Sequence, residues 1–354
     1  MSLMRRRALA PLAIALTIIA FPPARTDGKS QRERITLFRA GDTTYPQSIN
    51  KHGQVAGWTT SVTDFVTRGF VRDEDGDIEI FDVPGGGAGF GRGTYPTAIN
   101  SKGALAGYVL DDTFGAHGFV RTPAGDVTAF DAPGANPAWN AGTFPQSVNA
   151  KGEITGYYAD AEYVFRCFVR DGDGVITTID IPGAGRLVFC QSINSRGEIA
   201  GHFADPDYAY HAFVRSADGV VTVFDAADVS VPGTGTFARS INDRGEVAGN
   251  WTGTNYLSHG FSRAANGEVT TFEAPEAAGL GFAGTFATGI NDAGDVAGHY
   301  MDAVGFFRGY VRSPDGLFET FSPSPNTFVT SISSRGEITG NYPDAGIPQG
   351  FVRR

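Results

Sequence analysis

Apolar residues in this chain come in short runs cut by turn residues, and the whole pattern recurs about every fifty positions. Ser48-Ile49-Asn50 returns as Ala98-Ile99-Asn100, Ser147-Val148-Asn149, Ser192-Ile193-Asn194, Ser240-Ile241-Asn242, Gly289-Ile290-Asn291 and Ser331-Ile332-Ser333. Glycine follows three residues later each time, at 53, 103, 152, 197, 245, 294 and 336. An apolar-small-Gly triplet comes next, as in Val55-Ala56-Gly57. A Gly-Phe-Val-Arg-like run then ends at Arg72, Arg121, Arg170, Arg215, Arg263, Arg312 and Arg353. After another Gly-bearing turn, Phe-Asp-x-Pro-Gly or a variant closes most units, as in Phe81 to Gly85. The runs are too short for helices and rich in Val, Ile, Phe and Thr, so they predict strands. Both turns put glycine where a hairpin needs positive φ.

Four short strands per unit, with apolar residues at adjacent positions, suit a sheet covered on both faces. The expected fold is therefore all-β, a seven-bladed β-propeller with four-stranded blades. The seventh unit stops at Arg353-Arg354, after its third strand, and the fourth stands alone near the start as Arg34 to Phe38. That split predicts a ring closed by the N-terminal strand pairing into the last blade, which removes two free sheet edges. Residues 33–354 are expected to form this single domain.

Units reading His211-Ala212-Phe213-Val214-Arg215 and His117-Gly118-Phe119-Val120-Arg121 resemble the HAF repeat family of predicted extracellular bacterial proteins. The resemblance runs from about residue 33 to the end. It implies a propeller-like fold and an extracellular location, and it brings no activity or catalytic residue.

Arg5, Arg6 and Arg7 precede an uncharged apolar stretch, Ala8 to Phe21, and Pro22-Pro23-Ala24 breaks it. The stretch is short for a membrane span and reads as a signal peptide over residues 1–24, with an uncleaved anchor as the rival. An exported protein, periplasmic or extracellular, is expected. Removing residues 1–24, which carry three Arg and no acid, takes the net charge from −10 to −13. That charge repels phosphate backbones and anionic lipid, so no nucleic acid and no stable membrane insertion are expected, and the chain reads as a monomer. Export permits a disulfide between Cys167 and Cys190, and two buried thiols are the alternative.

Histidines are few, and three of them, His117, His211 and His259, fill a slot held by Arg68, Arg166 and Arg308 in other units. Fourteen residues on stand Asp82, Asp131, Asp180, Asp225, Glu273 or Ser322. This spacing sets the positions opposite each other across a hairpin, giving structural pairs Arg68–Asp82, His117–Asp131, Arg166–Asp180, His211–Asp225 and His259–Glu273. No catalytic residue and no metal ligand is assigned. The repeated aromatics Tyr45, Tyr95, Phe144, Phe189, Phe237, Phe286 and Phe328 read as packing between blades rather than sugar platforms. Asp111, Asp160, Asp205, Asp302 and Asp344 recur in the loops between second and third strands, as loop caps or as carboxylates for calcium or another cation. Departures from the repeat collect in the unit-to-unit loops with Phe90, Arg92, Trp139 and Asn140, and in the stretch with Asp207 and Tyr208. All these loops share one face. The expectation is a scaffold that uses that face to bind a glycan, peptide or protein without a cofactor. An extracellular polysaccharide hydrolase or lyase using the loop carboxylates is the alternative.

Overall fold

The computed structural model describes residues 34–227, 231–279 and 283–354. The signal read over residues 1–24 lies outside them. The described residues form 28 strands and no helix, so none of them offers a helix long and apolar enough to cross a membrane. Antiparallel pairing sorts the strands into repeated four-stranded units. In the first unit they are Tyr45–Ile49, Val55–Thr60, Thr67–Arg72 and Ile78–Phe81. The last described group joins Phe328–Ile332, Ile338–Asp344 and Ile347–Arg353 to the N-terminal strand Ile35–Phe38, whose Leu37 stands opposite Phe351.

Side chains of the inner strands stitch each unit to the next. Asn50, Asn100, Asn149 and Asn194 each donate from Nδ2 to the backbone carbonyl of the following unit's Asn at 2.9 Å, and Asn242 does so to Asn291 at 2.8 Å. The Oδ1 of the same Asn accepts two N–H groups of its own turn, as in Asn194 with Arg196 and Glu198 at 3.0 Å. One buried side chain thus shapes the Asn-x-x-Gly turn and holds its neighbour. Ser331 Oγ accepts from Ile49 N at 3.4 Å, as Ser48 Oγ does from Ile99 N at 3.3 Å, so the last unit touches the first as the first touches the second.

Farther from the inner strands, the Phe of each fourth strand inserts against the following unit. Phe130 meets Phe168 edge-on at 6.2 Å, and Phe38 meets Phe70 at 6.0 Å. The Arg that ends each third strand covers the same ring: Arg121 over Phe81 at 4.5 Å, Arg170 over Phe130 at 5.0 Å, and Arg72 over Phe38 at 5.3 Å. This cation–π contact accounts for the closing Arg wherever the preceding unit's fourth strand carries Phe; Arg215 follows Ile179 and is the exception. The Gly of that run leaves room for its own fourth-strand ring; a Cβ on Gly69 would lie 2.6 Å from Phe81.

The third unit breaks this pattern in a correlated way. Ile179 replaces the fourth-strand Phe, and opposite it the freed space holds Cys167 in place of Gly. Cys167 is bonded to Cys190 on the inner strand of the next unit, with Cα atoms 5.4 Å apart. Of the two readings open from sequence, the structure has the disulfide. It closes a loop of 23 residues between adjacent units, which corresponds to about 3 kcal/mol. Urea unfolding of the Cys167→Ala/Cys190→Ala protein should show a loss near that size, and reductant should lower wild-type stability alone.

Candidate functional site

Strand direction puts the first-to-second and third-to-fourth turns at one end of every unit. The second-to-third loops and the unit-to-unit loops lie at the other end, which carries the residues singled out above. Each second-to-third loop is built around its first polar residue. Asp160 Oδ1 accepts N–H groups from Glu162 at 3.1 Å and Val164 at 2.9 Å, while Oδ2 accepts from Arg166 Nε at 2.8 Å. Asp302 repeats this with Val304, Phe306 and Arg308 Nε at 3.0, 2.9 and 2.7 Å. Asp111 and Asp205 cap their loops the same way, with His117 and His211 Nε2 at 3.5 Å from Oδ2. Asp344 instead faces Arg39 at 3.1 Å in an exposed pair.

Burial pushes these four capped carboxyls up, but the N–H donors and the adjacent Arg or His side chain, with the Thr113 hydroxyl at Asp111, together hold each below the usual carboxylate range. They stay ionised and have both oxygens engaged. A general acid needs a proton near the working pH, which none of the four is placed to keep. Among the described residues, no group of three or more His, Cys, Asp or Glu converges as a metal site would.

The Arg or His slot of the third strand therefore has acidic neighbours on two sides in several units. His117 Nδ1 lies 3.0 Å from Asp131, and His211 Nδ1 lies 3.0 Å from Asp225. His259 bonds Glu273 and stacks on Trp251 with centroids 4.0 Å apart. Arg68 divides itself between Asp64 at 2.6 Å and Asp82 at 3.4 Å. The Arg166–Asp180 pair read from the spacing needs correction. The longer Arg side chain reaches back to the capping Asp160, leaving Asp180 as a more distant Coulombic neighbour.

What these caps hold up is the feature that the spacing of the carboxylates concealed. In the loops capped by Asp111, Asp160, Asp205 and Asp302 the tip residue turns left-handed and brings the next N–H back onto the cap; after Phe65 and Tyr256 that N–H goes to Asp64 and Asn255 instead. Glycine fits such a position, whereas an L side chain costs about 1–2 kcal/mol there. In five units the tip is nevertheless aromatic: Phe65 (φ 58°), Phe114 (63°), Tyr163 (55°), Tyr208 (65°) and Tyr256 (58°). The sixth has Gly305, and the last has Ala345 (50°) followed by Gly346 (83°). Four of the five rings are exposed, and Phe114 lies under the Arg92 guanidinium at 4.6 Å.

The unit-to-unit loops add to the same surface. Phe90, 79% exposed, lies 6.3 Å from Phe65. Trp139 is 66% exposed and precedes Asn140, whose N–H donates to the Phe114 carbonyl at 3.1 Å. Phe65, Phe90, Arg92, Phe114 and Trp139 thus run across three units. All seven exposed aromatic side chains among the described residues (these, Tyr163, Tyr208, Tyr256 and Phe306, without the half-buried Phe114) belong to loops of this end. Asp207 sits beside Tyr208 and donates its N–H to Asp205.

A cleft of about 490 Å³ opens at the other end, bounded by the Asn turns of six units and the Ser333 turn of the last. Its polar groups are largely spent on the fold: the Asn amides bond along the ring, and Asp243 and Asp292 cap Ser195 and Asp243 N–H groups at 2.8 and 2.9 Å.

The repeated inner-strand aromatics pack between units. Five of the seven lie opposite a second-strand ring that touches the next unit's aromatic, as in Tyr95 on Tyr108 at 5.1 Å and Tyr108 on Phe144 at 5.3 Å. His202 and His299 take this second-strand place, with Asn250 and Asn341 as equivalents. Burial, helped at His202 by the charge of Arg239, holds His202 down to about 3 and His299 to about 4. Both are neutral when folded, whereas the unfolded chain takes up protons below about pH 6.5. Their contribution is complete above that pH and falls by about 1.4 kcal/mol per pH unit for each His as the pH drops toward 4. His202→Asn/His299→Asn should flatten the melting temperature between pH 6.5 and 4, which a thermal denaturation series would read.

No family model and no curated protein matches the chain. Among solved structures, virginiamycin B lyase from Staphylococcus aureus aligns at 14% identity with TM-score 0.56, over 91% of this chain and 99% of that one. A chain of the mitotic checkpoint complex aligns at 12% identity with TM-score 0.55, over 98% and 99%. The fungal lectin of Aleuria aurantia, a six-bladed β-propeller, aligns at 10% identity with TM-score 0.46, over 80% and 96%. The likeness to the first two is one of fold, an all-β chain of repeated strands.

Proposed function

We propose that this chain is an exported, seven-bladed β-propeller of the HAF repeat type, closed by its N-terminal strand, that binds a glycan through the face carrying the loop tips. A peptide or protein partner on the same face is the competing outcome. The reading of closure draws support from Phe38, Ile49 and Ser331, which make between the last and first units the contacts that other units make in series. The reading of function is carried by one observation. Five equivalent loops place an aromatic where the backbone favours glycine, and a strained position kept at a surface points to use. Flat, exposed rings beside hydroxyls and carboxylates suit the apolar faces and hydroxyl edges of sugars, and an exposed aromatic patch marks an interaction surface. The acidic net charge and the signal over residues 1–24 fit a partner outside the cytoplasm. Four of the loop carboxylates serve as caps, which favours binding over acid–base cleavage. Binding to a glycan array, compared between wild type and a Tyr163→Gly/Tyr208→Gly variant, tests the reading; array binding that ignores the tips would defeat it.

A further inference from the structure

The sixth unit keeps the cation of the third strand but lacks the carboxylate that the first five units supply opposite it. Arg68, His117, Arg166, His211 and His259 each have a carboxylate fourteen residues on, but Arg308 has Ser322. The Ser322 hydroxyl turns away, donating to the Ser324 carbonyl at 2.6 Å and lying 3.3 Å from Thr327 Oγ1. The place of the missing carboxylate is part of a cleft of about 630 Å³, lined by Glu276, Tyr300, Asp302, Arg308, Thr320 and Phe321 among others. It is on the face of the loop tips, beside the cap of Asp302.

The polar groups of this cleft are arranged with opposite needs on its two sides. Arg308 gives Nε to Asp302 at 2.7 Å, and among the described residues no second carboxylate lies within ion-pair range of its terminal amino groups. The guanidinium is about a third exposed. Facing it, the Tyr300 hydroxyl donates to Glu276 Oε2 at 3.1 Å. Burial first, and Glu276 second, push the Tyr300 phenol up to about 12, so it remains a donor. Glu276 is left with acceptor capacity toward the cleft, the Thr320 hydroxyl is engaged with Tyr300, and Phe321 adds an apolar wall.

We propose that this cleft binds the carboxylate of an acidic sugar, a uronic acid residue, in the position that Asp or Glu occupies in the other units. The Arg308 amino groups receive the sugar carboxylate, a pairing in which planar donors match planar acceptors. Sugar hydroxyls donate to Glu276, and the ring lies along Phe321. The proposal rests on the reading of this face as glycan-binding and names a substrate class for it. A single uronate or a chain end is the fitting ligand, since the acidic protein repels a long polyanion.

Titration calorimetry with galacturonate, and with galactose as the neutral control, tests this on the full mature chain. Wild type should bind galacturonate at least tenfold more tightly than galactose. Ser322→Asp restores the pattern of the repeat; it should lose galacturonate binding at least tenfold while melting no lower than wild type. Arg308→Gln places in the slot the residue that Gln349 provides in the last unit, and it should lose the same binding even if Ser322→Asp does not fold. The Tyr163→Gly/Tyr208→Gly variant should keep galacturonate binding, so the cleft and the tips fail or stand separately. Equal affinity for galactose and galacturonate, or undiminished galacturonate binding in a folded Ser322→Asp or Arg308→Gln protein, would overturn the proposal.

Discussion

Gly142→Ala should abolish the native fold, while Gly134→Ala, only eight residues earlier, should cost little more than its backbone strain. Both glycines have positive φ, 119° and 85°. The difference lies in what a Cβ would meet. At Gly134 there is nothing within 4 Å, whereas at Gly142 the Ala116 carbonyl oxygen would lie at 2.0 Å. That oxygen belongs to the third strand of the preceding unit, which pairs with Gly142 across the one parallel contact between units. Gly93, Gly235 and Gly284 make the same approach to Thr67, Tyr210 and Ser258. Relief would require separating two units whose faces are packed over their whole length. We expect a loss of at least about 4 kcal/mol for Gly142→Ala, against about 1–2 kcal/mol for Gly134→Ala. Soluble yield and urea denaturation of the two variants would read the contrast. Equal stability would mean that the units are not held at the distance described.

The loop tips should behave in the opposite sense. Tyr163→Gly and Tyr208→Gly remove left-handed strain worth about 1–2 kcal/mol at each site. Part of that gain is offset by the greater freedom of glycine in the unfolded chain, about 0.5–1 kcal/mol. Each change should therefore stabilise the protein by about 0.5–1 kcal/mol. Array binding should fall at least tenfold in the pair, because the rings removed are about half exposed on this face. A gain in melting temperature together with a loss of binding is the signature of a site maintained against stability. A purely structural tip would show both quantities falling together.

The propeller pattern was legible because each unit repeats its turn chemistry: Asn-x-x-Gly, the Gly of the second hairpin, and an Arg that must sit over a Phe. The position of Phe38 relative to Phe81 in that pattern pointed to its place beside the last strands. The disulfide stayed open from sequence, since its explanation is the joint replacement of Gly by Cys167 and of Phe by Ile179 across one hairpin. The carboxylates of the loops were visible as a series, but their use was not. Backbone N–H groups from Val164 or Phe306 satisfy them without leaving any mark in residue type. The same bonds drew Arg166 away from Asp180. The aromatic tips were missed apart from Tyr208, although Phe114, Tyr163, Tyr208 and Tyr256 stand three residues after the cap position in four units. Their meaning depends on φ, and sequence alone did not show that an aromatic had taken a place suited to glycine. The vacancy beside Arg308 was also present in the sequence, as Ser322 in a column of acids, and became a site only once the cleft around it could be seen.

The most direct test of the account is glycan-array binding by the mature chain, measured in parallel for wild type, Tyr163→Gly/Tyr208→Gly and a variant of the opposite end, Val175→Ser/Leu317→Ser. The account predicts that wild type and the opposite-end variant retain the same glycan profile and that the tip variant, binding of terminal uronate at the Arg308 cleft aside, loses it while melting higher. A tip variant that keeps the profile, or an opposite-end variant that loses it, would contradict the assignment of function to this face.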